Sequence, residues 1–361
     1  MRMLKEFFHF LNPVSLLIGA LILFIGITGV IIAIYWFLFI GKKRFRLKKK
    51  VMRHLEAWIS NLILEESFDD VQLPKKLYRI LENKAARQIT IDELIACRKN
   101  FSGAVGENIV LLYQQLGLKP DSVEKIKCIE REHIQAKGIQ ELYLMDQRDY
   151  LPYIYKNTNN RQPLVRMEAQ TGIIHMAGFA GLRFLNVISY PLTEWQQIKL
   201  LEQLKLVSKK DDLSGKIPKW LLSKNASVII FALKLADELQ QLAVRENIVP
   251  CLQHPNRLVR GQAIKTLVRL SDEHTAAVFI NAYHQQETTE KIAILEALRN
   301  LASDMHYNFL YRLFEDPDNI IKLHAAIVLV SNCTDGLKAL ESRAIRQPEP
   351  FQRILNHVKT I

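Results

Sequence analysis

Hydrophobic and polar residues are patterned in three ways along this chain. Near the start, Val14 to Ile40 reads VSLLIGALILFIGITGVIIAIYWFLFI, without one charged residue. As a helix rising about 1.5 Å per residue this run is roughly 40 Å long, against a hydrocarbon core of about 30 Å, which predicts a tilted membrane span. Residues 54–117 carry shorter blocks at helical spacing. LEAWISNLILEESF places Leu55, Ile59, Leu62 and Ile63 on one side. LPKKLYRILE and TIDELIACRKN read as further helices, with Thr90 as a cap before Glu93, and FSGAVGENIVLLYQQLGL ends near Gly117 with Pro120 beyond. This stretch is expected to be a helical neck or N-terminal cap.

The third pattern repeats. Leu258 to Leu270 reads LVRGQAIKTLVRL, with Val259, Ala263, Leu267 and Leu270 on one side. A shift of 31 residues gives EKIAILEALRNL, with Lys291, Ile294, Leu298 and Leu301 at equivalent places, and another gives IKLHAAIVLV with Ile321, Lys322, Ala325 and Leu329. Backwards, the step finds Val228, Ala232, Ala236 and Leu239. After one inserted residue it finds Leu200, Leu204 and Val207, then Val165, Arg166 and Ala169. Pro255 and Pro317 lie 62 residues apart, each just ahead of its helix, and Pro348 follows 31 later. Second helices fall between, at 273–286, 304–316 and 335–347. No helix pair of this length can bury its apolar face alone, so the pattern predicts an all-α solenoid of stacked pairs.

The segments PNRLVRGQA, from Pro255 through Val259 and Arg260 to Ala263, and PDNIIKLHA, from Pro317 through Ile321 and Lys322 to Ala325, resemble the HEAT-repeat family. The unit near 290 lacks the proline, and the one near 228 has Ile229 at the basic position. The likeness covers roughly 120–361, and the layout is similar to that of bacterial HEAT-repeat proteins tethered by one N-terminal span. It implies an adaptable scaffold that binds a protein partner, such as a membrane glycosyltransferase or other polysaccharide-synthesis machinery, and it specifies fold more than function. In this family the basic position of the repeat pairs with an acid of the adjacent unit. That leaves Arg166, Arg260, Lys291 and Lys322 two roles, a structural ladder or a surface for an acidic partner.

Charge alters the picture in one place. The net +12 suggests nucleic acid, but eight of those charges are Lys42, Lys43, Arg44, Arg46, Lys48, Lys49, Lys50 and Arg53. The body beyond is nearly neutral, which removes the phosphate-neutralising field that DNA binding needs. Two bases precede the span and eight follow it, so the topology expected is N-out and C-in, in the inner membrane with the repeats cytoplasmic. A cleaved signal peptide has a shorter apolar core and a small-residue cleavage site, both missing here. The basic cluster either sets topology or also holds anionic lipid headgroups. Within the span, Ser15, Gly19, Gly26, Gly29 and Ala33 share one stripe, where another helix could approach closely.

Pro and Gly number only 12 and 14, which suits helices, and the four cysteines form no CxxC, so neither disulfides nor a metal site is expected. No HExxH, Walker A, GxSxG or Rossmann motif is present, and His175 and His324 read as ordinary helix residues. Gly172, Gly178 and Gly181 follow no strand and read as close helix packing. Some HEAT-like solenoids resemble DNA glycosylases or bilin lyases, but neither catalytic set can be placed on these residues. The expected organisation is a short extracytoplasmic segment 1–12, a span 13–41, a basic segment 42–53, a neck 54–120 and a repeat domain 121–361. The expected function is a non-enzymatic scaffold needing no cofactor or small-molecule substrate, with a regulatory subunit for a soluble cytoplasmic protein as the alternative.

Overall fold

The computed structural model describes residues 13–64, 75–101, 103–207 and 212–360. Among these the chain is all-helical, without a strand. The chain divides into two compact units, Met1–Gln147 and Arg148–Ile361.

The first unit begins with α1 (Pro13–Leu64), one helix that carries the apolar run, the basic run and the start of the neck without a break. Its most apolar window reaches a mean hydropathy of 2.9, with none of that window buried, so α1 is long and apolar enough to cross a membrane. The expected segment 1–12 and the side chain of Ser15 lie outside the described residues. Past the bases α1 turns its apolar residues inward. Val51 and Leu55 are fully buried, and Val51 shares a small core with Ile80, Ala86 and Ile89. These come from α2 (Lys75–Leu81) and α3 (Lys84–Asn100), followed by α4 (Gly103–Gln115), α5 (Lys119–Ile126) and α6 (Glu132–Leu144). Thr90 does not cap a helix. Asn83 does, accepting from the amides of Ala85 and Ala86, and Thr90 sits inside α3, where its hydroxyl donates to the Ala86 carbonyl at 2.9 Å.

Helices α5 and α6 approach so closely that a Cβ on Gly138 would lie 2.9 Å from the backbone nitrogen of Ile126. They belong with the neck because of a buried polar network. The carboxylate of Glu141, fully buried, accepts from Lys125 at 2.5 Å, from the Ser122 hydroxyl at 2.6 Å and from Gln88 Nε2 at 2.9 Å. Tyr113 donates to Ser122 at 2.9 Å, and burial pushes its phenol well above the ordinary range. This network joins α3, α4, α5 and α6, so the division falls after Gln147 rather than at the 120/121 boundary expected from sequence.

The second unit runs α7 (Leu151–Lys156), α8 (Pro163–Ala177), α9 (Glu194–Lys205), α10 (Ile217–Leu221), α11 (Ala226–Glu238), α12 (Arg245–Ile248), α13 (Arg257–Arg269), α14 (Thr275–Tyr283), α15 (Thr288–Leu298), α16 (Tyr307–Arg312), α17 (Asn319–Asn332), α18 (Gly336–Arg346) and α19 (Pro348–Val358). Helices α8 and α9 pack together, α11 packs on α13, α13 on α15 and α15 on α17, while the shorter helices lie between. The periodic apolar positions point inward: Val165, Val228, Val259 and Ile321 are buried, and so are Ala169, Ala232, Ala263, Ile294 and Ala325. The helix starts share one chemistry. Asn225, Asn256 and Asp318 each cap their helix, accepting from the amide two residues on. Glu287, the residue one period after Asn256, makes no capping bond and instead pairs with Arg260 at 2.8 Å. Pro255 and Pro317 therefore stand just before the cap.

Loss of a cap oxygen costs about 1 kcal/mol, so Asn256→Ala is expected to lower the urea midpoint of the second unit while Glu287→Gln leaves helix capping unchanged. Cys251 gives a second expectation. Burial pushes its thiol up to about 11 from an ordinary 9.0. The folded state thus holds the proton more tightly, so the stability this adds is complete below pH 9.0 and is lost as pH climbs through about 11. Cys251→Ala should flatten that alkaline loss in thermal melts.

Candidate functional site

A groove of about 1490 Å³ opens in the second unit, lined by α9, α11, α13 and α15 and the turns that start them. Each of these helices turns its periodic residues inward and leaves the other side to the groove. Leu258, at the second helical position of α13, is 70% exposed there. Gly261, one turn on, faces open space, since a Cβ on it would meet nothing within 4 Å. Ile230 and Ala293 flank it from α11 and α15.

The charges in the groove are balanced. Lys234, Arg257, Lys265 and Arg269 face Glu194, Asp237, Glu290 and Glu296. Several pair between helices about one period apart: Arg257 with Glu290 at 3.3 Å, Arg269 with Asp237 at 3.5 Å and Lys234 with Glu194 at 4.0 Å. Burial pushes the Asp237 carboxyl above its ordinary range, against the pull of Arg269, with Glu238 adding to the rise. The Asp237–Arg269 pair therefore weakens as pH falls toward that raised value, earlier than an ordinary carboxylate pair would.

The repeated basic positions are occupied by structural partners. Arg260 is nearly buried. Its Nη1 donates to the carbonyls of His254 and Pro255, and its Nη2 to Glu287 at 2.8 Å and Glu290 at 3.2 Å. Arg166 repeats this geometry, donating to the carbonyls of Asn160 and Arg161, with its guanidinium 4.4 Å from the Tyr190 ring centroid. Lys291 lies over Tyr283 at 5.5 Å and Lys322 over Phe351 at 5.9 Å. All four are tied to the turn before or to a ring nearby, so they do not gather into one open basic face.

Among the basic residues of α1, all eight are exposed, and Lys48 pairs with Glu93. Along the span, a Cβ on Gly19, Gly26 or Gly29 would meet nothing within 4 Å, and Ala33 is exposed, so none of the described residues covers that part of the stripe. His175 is exposed on α8 and His324 is half-buried on α17. Gly178 closes α8 with a positive φ of 54°, and Gly181 approaches the Ile173 carbonyl so closely that a Cβ would lie 2.6 Å from it. Among the described residues no three His, Cys, Asp or Glu side chains cluster as metal ligands.

Residues missed from sequence are the capping Asn225, Asn256 and Asp318, and the groove pair Leu258 and Gly261. The capping signal was present, since 225, 256, 287 and 318 are spaced by 31, but it is a single polar residue per unit. No family model matches the chain, and no curated protein matches it significantly.

Breaking a buried ion pair strands the remaining charge and costs about 3–5 kcal/mol. Arg260→Ala, which leaves buried Glu290 only the more exposed Arg257, is expected to reach the lower end of that range by chemical denaturation, whereas Lys322→Ala, part-exposed, should change stability by less than about 1 kcal/mol.

Proposed function

We propose that this protein is a non-enzymatic, membrane-tethered scaffold whose second unit is a solenoid of HEAT-like helix pairs. In this reading α1 spans the inner membrane with the N-terminus outside, and the groove faces the cytoplasm to hold a segment of a protein partner. The basic run after the apolar span supports that orientation. The 31-residue spacing of caps, buried alanines and interhelix pairs supports the stacked-pair architecture.

The observation that carries the binding role is Gly261. Glycine within a helix is about 0.5–1 kcal/mol less stable than alanine, and none of the described residues fills the space over Gly261. That opening leaves room for another backbone or side chain to approach closely. Exposed Leu258 beside it offers an apolar anchor, while the balanced charges give no net field for a polyanion. The tether raises the effective concentration of a membrane-bound partner, so weak contacts suffice. A membrane glycosyltransferase or another component of polysaccharide synthesis fits this placement.

The test is crosslinking in intact cells followed by mass spectrometry. The wild-type chain should capture one recurrent membrane protein. Gly261→Trp and Leu258→Glu should reduce that capture at least tenfold without lowering the melting temperature, and Gly261→Ala should raise stability by about 0.5–1 kcal/mol. Capture of a soluble cytoplasmic protein instead would favour a regulatory subunit. Unchanged capture in both groove variants would remove the groove from the function.

A further inference from the structure

The basic run of α1 is two-faced. At about 100° per residue, Lys42, Lys43, Arg46, Lys49, Lys50 and Arg53 fall within about 120° of one another. Leu47, Val51 and Leu55 take the opposite side, toward the core of the first unit, and Arg44 and Lys48 fall among them. On that inward side a cleft of about 270 Å³ opens between α1 and α3. Gly41, Arg44, Phe45 and Lys48 form one wall, and Ile89, Asp92 and Glu93 the other.

Three features of the cleft point to one kind of ligand. The first is depth. The cleft begins at the residue after Ile40, where the uncharged run stops. Arg44 lies only about 6 Å further along the helix axis, at the level of headgroups, which extend about 5–8 Å beyond the hydrocarbon on each side. The second is charge. Lys48 pairs with Glu93, and Asp92 accepts from Lys137 and from Gln88 Nε2, each at 2.9 Å. Arg44 has no ionic partner among the described residues, while Lys137, from outside the cleft, takes up Asp92. The third is apolar surface. Phe45, the next residue after Arg44, is 68% exposed.

We propose that this cleft binds the phosphodiester of one phospholipid molecule. Arg44 donates to the phosphate oxygens, the planar fork of a guanidinium being suited to that geometry. Lys48 stays paired with Glu93, and Phe45 lies along the glycerol and first methylenes. The remaining six bases face away from the cleft and attract anionic lipid only diffusely. This inference rests on α1 crossing the membrane.

The test uses the full chain reconstituted in vesicles of phosphatidylglycerol and phosphatidylethanolamine, extracted in mild detergent and weighed by native mass spectrometry. One phospholipid per chain is expected on the wild type, from either source if the phosphodiester alone is read and from phosphatidylglycerol alone if its net charge is needed. Arg44→Gln and Phe45→Ala should lower occupancy at least fivefold with circular dichroism and melting temperature unchanged. The triple variant Lys49→Gln, Lys50→Gln, Arg53→Gln should keep the lipid. Wild-type chain without bound lipid, equal occupancy in Arg44→Gln, loss in the triple variant, or displacement by inorganic phosphate would each overturn the site. Carbonate extraction is read separately: release of the chain from membranes would refute the span, and the site with it.

Discussion

A helix of three or four turns with apolar residues on more than one side has to be covered by neighbours on both flanks. Helix α13 shows what this demands. Val259, Ala263, Ile264 and Leu267 are all buried. Its neighbours α11 and α15 come from about one period before and one period after, each offering its own buried stripe. Alanines at 169, 232, 263 and 325 keep these approaches close, because a methyl group lets helix backbones come together where a longer chain would hold them apart. The order of helices in the second unit follows from that need.

Polar chemistry then ties each helix to the one a period away. The Thr266 hydroxyl donates to the Leu233 carbonyl at 3.2 Å, Gln286 Nε2 donates to the Leu252 carbonyl at 2.8 Å, and Asn332 Nδ2 reaches the carbonyls of Arg299 and Ala302 at 3.0 Å. Arg260 joins two segments at once, its own preceding turn and the start of α15 at Glu287 and Glu290. The bonds from Gln286 and Asn332 reach carbonyls at or beyond helix ends, and the bond from Thr266 reaches across from one unit to the one before. With the inner sides of α9, α11, α13 and α15 committed to packing, the residues left over form the groove, and its balanced charges are partly the outer ends of the same interhelix pairs.

Much of this was legible in the amino-acid pattern, because apolar periodicity reports burial directly. The positions read as inward at 165, 228, 259 and 321 are inward. What the pattern concealed depended on single polar residues or long-range pairs. Thr90 looked like a cap because it precedes an acidic residue, yet Asn83 offers a side chain that reaches two amides and starts the helix earlier. The second helices are shorter than their apolar blocks: 273–286 contracts to Thr275–Tyr283 because Asp272 accepts from the His274 amide and the Thr275 hydroxyl and holds a turn there. The Glu141 network, which fixes the end of the first unit, joins residues up to 53 apart and leaves no local trace. Gly261 was visible as a glycine; the emptiness around it was not.

If the second unit is held by nearest neighbours, each helix pair leaning on the next, one period can be removed without loss of the fold. Excising residues 226–256, one full period from the start of α11 to the cap of α13, tests it most directly. Asn225 would then cap α13 in place of Asn256, and α13 would meet α9. The shortened chain should still unfold cooperatively, with helical circular dichroism per residue unchanged and a smaller dependence on denaturant, in proportion to the surface removed. Loss of cooperative unfolding, with exposed apolar surface detected by dye binding, would instead mean one closed core that no period can leave.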